Sequence, residues 1–163
     1  DTLPGGAVRI PLRDRSDRIR AYVIVDANDA DWVNQWRWHL SKDGYAIRET
    51  KLNGRRIHLY LHRELLGLER GDTREGDHIN RDRLDARRSN LRAVTKQGNR
   101  QNVSKRAGCT SKYRGVYINS QGKWGAYAVV NGRTKNLGQY PTEEAAAEVA
   151  KRVRLEHLPY AVD

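Results

Sequence analysis

The stretch Gly76–Asn99, GDHINRDRLDARRSNLRAVTKQGN, decides how this chain is read. It carries an Asp-His pair at 77 and 78, Asn90 thirteen residues after Asp77, and Asn99 nine residues after that. Glu75 to Asn80 reads as a short strand, Arg81 to Ser89 as a loop rich in turn formers, and Leu91 to Val94 as a second strand. Thr95 then caps a helix expected to run through about Ser104. Strand, loop, strand and helix in so few residues are expected to bring Asp77 and His78 against the helix face that carries Asn99. One carboxylate and one amide oxygen make a hard, incomplete, oxygen-only site, suited to Mg²⁺ that keeps several waters and meets a phosphate. A neighbouring imidazole, with an ordinary pKa of about 6.5, can take the proton of an attacking water. Adjacent residues of a regular strand point to opposite faces, so Asp77 and His78 need a bulge or a strand end to serve one site. Asp and Asn are also ordinary turn residues, and an Asp-His dipeptide alone specifies little.

Upstream, residues 1 to 60 alternate polar and apolar in short bursts at Ala7–Leu12, Arg20–Val25, Tyr45–Arg48 and Arg56–Tyr60, which read as hairpin strands with a turn at Asn53-Gly54. Asn28 or Asp29 caps a short helix that sets Trp32 and Trp36 on one face. With Trp38 they are expected to supply the core of a domain too small to build one from aliphatics. Leu61 to Leu68 reads as a second short helix ended by Gly67. His62, at its start, is either a packed residue or one that reaches the Asp77 site.

Downstream, residues 105–110 read as a basic linker. Tyr113–Asn119, Lys123–Val130 and Arg133–Gln139 follow as three strands, and Pro141-Thr142-Glu-Glu opens a helix to about His157. Ala146, Val149, Ala150 and Val153 form its apolar stripe.

Charge points the same way. The chain has 163 residues and a net charge of +11, and between Arg81 and Pro141 there are 14 Lys and Arg against Asp82 and Asp85, a local +12. Nucleic acid is the partner such a field selects first. Trp, Tyr and Val alternate through the second half of this run, unlike a disordered tail, and its glycines break any amphipathic membrane helix. No apolar run approaches a membrane span, and the single Cys109 allows neither an internal disulfide nor a Cys-type structural zinc site. These features, with no basic-then-apolar leader in the sequence, set an intracellular, DNA-associated location as the expectation. The absence of Met sets the expectation that the native start lies upstream.

The sequence DHIN, then LDxRRSNLRxVT, then an Asn in the following helix, resembles the HNH nucleases in the form found in phage and intron-encoded homing endonucleases. The resemblance implies a ββα-metal finger with His78 as general base. Asp77 and Asn99 would ligate one divalent ion, Mg²⁺ with Mn²⁺ as the alternative, and Asn90 would fix the loop by hydrogen bonds to backbone. Asn99 in place of the last His makes this an HNN variant. Two positions depart from the pattern: Arg81 stands where many relatives carry Gly, and Ala86 stands where Asn is frequent. Arg83, Arg87, Arg88, Arg92 and Arg100 surround the motif as phosphate-neutralising candidates.

The text KYRGVYINSQGKWGAYAVVNGRTKNLGQYPTEEAAAEVA resembles an AP2 DNA-binding domain. That implies a three-stranded sheet in the major groove, with Arg114 and Lys123 at DNA-contacting positions. Tyr117, Asn119 and Lys135 are further candidates on the same strands, and Trp124 either contacts DNA or packs on the helix.

The expected architecture is α+β: a β-rich module over 1–60, a nuclease core over 61–104, a linker and an AP2-like domain over 111–158. The expected activity is metal-dependent hydrolysis of double-stranded DNA by a monomer or weak dimer. A non-catalytic DNA-binding regulator and a single-stranded RNA binder are the competing classes.

Overall fold

The computed structural model describes residues 2–3, 6–102 and 109–162. The fold is mixed α and β, strand-rich, with several small antiparallel sheets. It forms two compact units, Asp1–Lys96 and Gln97–Asp163.

In the first unit β1 (Thr2–Leu3), β2 (Ala7–Arg13) and β3 (Ile19–Asp26) make one sheet in that order. Alternation along β2 and β3 turns Ile10, Leu12, Val23 and Val25 inward. Helix α1 (Ala27–Val33) starts earlier than Asn28 or Asp29 would set it, with Asp26 at the cap position. The Asp26 carboxylate does not cap the helix because it accepts a hydrogen bond from the distant Arg88 N–H, 2.7 Å. The helix stops before Trp36, yet Trp32 and Trp36 still meet edge to face at 4.7 Å. Trp38 is 1% exposed and donates its indole N–H to the Val33 carbonyl at the helix end, so the tryptophans serve the core.

A second sheet holds β4 (His39–Leu40), β5 (Ala46–Leu52) and β6 (Arg55–Tyr60). Leu52 pairs with Arg55 across a two-residue turn in which Asn53 and Gly54 both take positive φ, 49° and 74°. Helix α2 (Leu61–Leu65) follows, then the hairpin of β7 (Glu75–His78) and β8 (Leu91–Val94). The expected boundary near residue 60 is not a break in packing. A single apolar cluster joins Ile10, Val23, Trp38 and Ala46 to Leu61, Leu65 and Leu91. The short hairpin β7–β8 is also tied to β3, where Ile24 exchanges backbone hydrogen bonds of 2.8 Å with Leu84 and Ala86.

Helix α3 (Lys96–Asn99) spans the boundary between the units and is shorter than expected. Val103 to Gly108, which include the end expected for that helix and most of the expected linker, lie outside the described residues. The second unit packs α4 (Glu143–His157) on the sheet β9 (Val116–Ile118), β10 (Trp124–Val130), β11 (Arg133–Tyr140), with β10 central. Thr142 caps α4 by accepting the Ala145 N–H. Ala146 and Ala150 face Val116 and Ala126 in a small core. One turn on, the helix buries Arg154, whose guanidinium donates to the Arg114 carbonyl at 2.7 Å.

Candidate active site

The β7–β8 hairpin sets the site. Asp77 pairs with Arg92 and His78 with Leu91, without a bulge, and β7 ends at His78. Their side-chain contacts differ: Asp77 pairs with Arg92, and the His78 ring meets Tyr45 and His62. Arg81 makes the turn: its N–H donates to the His78 carbonyl and its φ is +67°. Left-handed backbone is the conformation that Gly adopts without strain, so Arg81 holds it at a cost.

Asn90 holds the loop between the strands. Its Oδ1 accepts the Asn80 N–H at 2.9 Å, and its Nδ2 donates to Asn80 Oδ1 at 2.9 Å and to the Asp85 carbonyl at 2.7 Å. Asn80 Nδ2 in turn donates to Asp85 Oδ2, 2.8 Å, and Asp85 receives two hydrogen bonds from the Arg87 guanidinium. Arg87 is the main cause that holds the Asp85 carboxyl below its usual pKa. Asn80 and Asp85 thus matter as much as Asn90 to the loop, although both read in sequence as plain turn residues.

Asp77 and His78 are 6% and 5% exposed. The Asp77 Oδ2 accepts from both Nε and NH2 of Arg92, each at 2.7 Å. Burial pushes the His78 pKa down, while Asp77, Asp82 and Asp85 pull it the other way. The imidazole is therefore neutral at pH 7 and able to accept a proton. It sits in an aromatic nest: His62 lies 4.9 Å away edge to face, and Tyr45 contacts both histidine rings at 5.2 and 5.9 Å. The Arg83 guanidinium covers Tyr45 at 4.8 Å. His62 is buried, with its pKa driven to about 3 by desolvation first and by His78 second. Gly76 is required by this nest, because a Cβ there would stand 2.4 Å from His62 Cδ2.

The arginines expected as phosphate clamps have intrachain partners in the first unit. Arg87 holds Asp85, Arg92 holds Asp77, and Arg88 forks onto Asp29 at 2.7 and 2.8 Å while reaching the Leu65 carbonyl. Arg88 ties α1, α2 and the hairpin together. The acids that take these charges are up to 59 residues away in sequence, and a run of arginines does not show them.

Asn99 ends α3 within the second unit, half-buried, and Arg100 follows it, exposed. In the same unit Arg114 donates to the Gln101 carbonyl. Tyr117 stands opposite Gly125, whose missing side chain leaves room for the tyrosine ring, and approaches Tyr127 at 6.2 Å. With Thr134 opposite Val129 and Asn136 opposite Tyr127, these residues form the sheet face turned away from α4. Lys123 is exposed at the start of β10. Asn119 caps the β9–β10 turn by accepting the N–H groups of Gln121 and Lys123. Trp124, half-buried, packs against the helix core. Lys135 is exposed but pairs with Ala128, on the helix side, because a bulge shifts the register between Ala126 and Tyr127.

A family model for HNH endonucleases matches residues 59–101, the segment that contains α2, the hairpin and the Asn90 loop. An uncharacterised HNH endonuclease of Acanthamoeba polyphaga mimivirus is 31% identical over 144 residues, covering 87% of this chain and 72% of the relative. The chain belongs to the HNH endonuclease family. No solved structure matches it. The matched segment of the HNH family places Asp77, His78, Asn90 and Arg92 within one hairpin, and no helix among the described residues is long and apolar enough to cross a membrane.

Proposed function

We propose that the protein is a site-directed DNA endonuclease of the homing type, with the β7–β8 hairpin and its following helix as a ββα-metal finger over 61–104 and an AP2-like module over 111–158. The observation that carries this is the buried, neutral His78 at the end of β7, beside the Asp77 carboxylate and above a loop clamped by Asn90. His78 takes the proton of the attacking water. Asn90 positions the hairpin and does not itself meet the substrate.

The donor set fits a hard divalent ion: a buried carboxylate next to a neutral imidazole, with Asn99 added by the motif spacing alone. Such an ion, Mg²⁺ or Mn²⁺, would supply positive charge for the leaving 3′ oxygen. Arg92 competes for the same Asp77 oxygen, so ion binding is expected to loosen that pair. In the second unit, the sheet face of Tyr117, Tyr127, Thr134 and Asn136, flanked by Lys123, supports base contacts in a groove of double-stranded DNA.

Supercoiled plasmid incubated with Mg²⁺ tests the activity: wild type nicks or cuts, and His78→Ala does not. Equal cleavage by both, or by neither on a cognate site, overturns the assignment. The Asp77–Arg92 pair favours one other reading, a DNA-binding regulator in which the hairpin is retained as structure. It predicts DNA binding without cleavage, unchanged in Asp77→Ala.

A further inference from the structure

We propose that the sheet β4–β5–β6 carries a second metal site, formed by His39, Glu49 and His58, for a transition-metal dication of the Zn²⁺ type. All three residues lie outside the family-matched segment 59–101. Their ligand atoms fall within 4.8 Å of one another. The arrangement is fixed by backbone register. Glu49 on β5 stands directly opposite His58 on β6, and His39 on β4 stands opposite Ile47, two residues before Glu49 on the same face. Three adjacent strands thus present an imidazole, a carboxylate and an imidazole to one side of the sheet.

The common fate of such groups is a solvated surface with loose ion pairs. Two features argue for more. Glu49 approaches His58 Nε2 at 3.6 Å and Arg56 at 3.7 Å, and neither separation is that of a hydrogen bond, so among the described residues the carboxylate has no tight ion-pair partner to give up. The two rings stand at 81° with centroids 6.3 Å apart, so they are not stacked on each other, and a nitrogen of each lies within 4.8 Å of the other and of the Glu49 carboxylate. Bonds of about 2.0–2.1 Å in a tetrahedron put ligand atoms about 3.3 Å apart. Half-exposed side chains reach that spacing by small rotations. Two nitrogens and one oxygen select Zn²⁺, Co²⁺ or Ni²⁺ over Mg²⁺, which needs hard oxygen ligands.

The trio opens into a cavity of about 640 Å³ whose other charged lining residues are Arg13, Arg15 and Arg37 with Asp14, a net excess of cations. Those charges oppose a bare dication and favour an anion, hydroxide, chloride or a phosphate oxygen, in the remaining coordination position. Because the ligands come from three strands, binding requires the folded sheet and stabilises it.

Cobalt tests the site on the full chain, since Co²⁺ bound by nitrogen ligands absorbs visible light and Mg²⁺ does not interfere. Titration of wild type with Co²⁺, and of competing Zn²⁺ by calorimetry in excess Mg²⁺, is expected to give one equivalent bound and a rise in melting temperature. Affinity should fall about tenfold or more in His58→Ala and in Glu49→Gln. Both residues are half-exposed and stand at strand positions that tolerate substitution, so both variants fold. Asp77→Ala should keep the site. Unchanged Zn²⁺ affinity in His58→Ala and Glu49→Gln overturns the proposal, as does loss of the visible band in Asp77→Ala alone, which would assign the ion to the hairpin.

Discussion

Replacing His62 with Leu should remove about 2 kcal/mol of the stability loss that the first unit suffers between pH 7 and pH 5. His62 is packed among Tyr45, Tyr60 and His78, and burial lowers its pKa to about 3 from an ordinary 6.5. A base with a depressed native pKa is neutral in the native state down to about pH 3 and protonated in the unfolded chain below about 6.5. Above pH 6.5 both states hold the neutral ring and nothing is lost. As pH falls below 6.5 the unfolded state gains a proton that the native state refuses, and stability drains until the native pKa is reached. At 1.36 kcal/mol per pKa unit, the loss at pH 5 is about 2 kcal/mol, rising to about 4–5 kcal/mol near pH 3. Urea unfolding at pH 7 and pH 5, followed by tryptophan fluorescence in a Trp124→Phe background, reads this directly, because the remaining Trp32, Trp36 and Trp38 all report on the first unit. Wild type should lose about 2 kcal/mol more than His62→Leu between the two pH values. The other carboxylates and histidines titrate in both proteins and cancel in the difference, apart from the coupling of His62 to His78. A wild-type to variant gap that is the same at pH 7 and pH 5 would refute the burial argument for the nest.

Asn90→Ala should cost about 2–4 kcal/mol in thermal or urea unfolding, because the Asn80 N–H, the Asn80 Oδ1 and the Asp85 carbonyl each lose a partner in a part-buried loop. Arg81→Gly should stabilise by about 0.5–1 kcal/mol, the relief of a left-handed residue less the entropy of Gly in the unfolded chain, read as a higher melting temperature. Gly76→Ala should destabilise by about 1–3 kcal/mol, since its methyl group enters the His62 ring. Arg88→Ala should destabilise the first unit by about 1–3 kcal/mol, by leaving Asp29 without its fork, while the salt slope of DNA binding measured by fluorescence anisotropy stays within error. Lys123→Ala should do the reverse, lowering that slope by about 0.9 with little change in stability.

The two-residue turn at Asn53-Gly54 was legible in sequence because left-handed turns admit so few residue types, and it carries positive φ at both positions. The hairpin that carries Asp77 and His78 was legible for the same kind of local reason: its strands, its loop acceptor Asn90 and its ending before Thr95 all lie within one short segment. What sequence did not show is pairing across distance. Arg87, Arg88 and Arg92 read as free cations for phosphate, yet each is taken by a carboxylate, two of them close in sequence or across a ladder and one from α1. The difference has a physical root: charge is a property of a residue, whereas its pairing depends on what the fold sets opposite it. Lys135 shows the same limit at smaller scale, since one bulge in β10–β11 decides which face it joins. The segment before residue 60 was expected to be a separate module because its strands are short and self-paired. Leu61, Leu65 and Leu91 belong to the same apolar cluster as its strands. That shared core has a functional consequence. The hairpin that holds His78 shares its apolar cluster with β2, β3 and Trp38, so the rigidity of the proposed base is set by residues with no chemistry of their own, and Arg88, which joins α1 to the hairpin, is where that support can be cut by a single substitution.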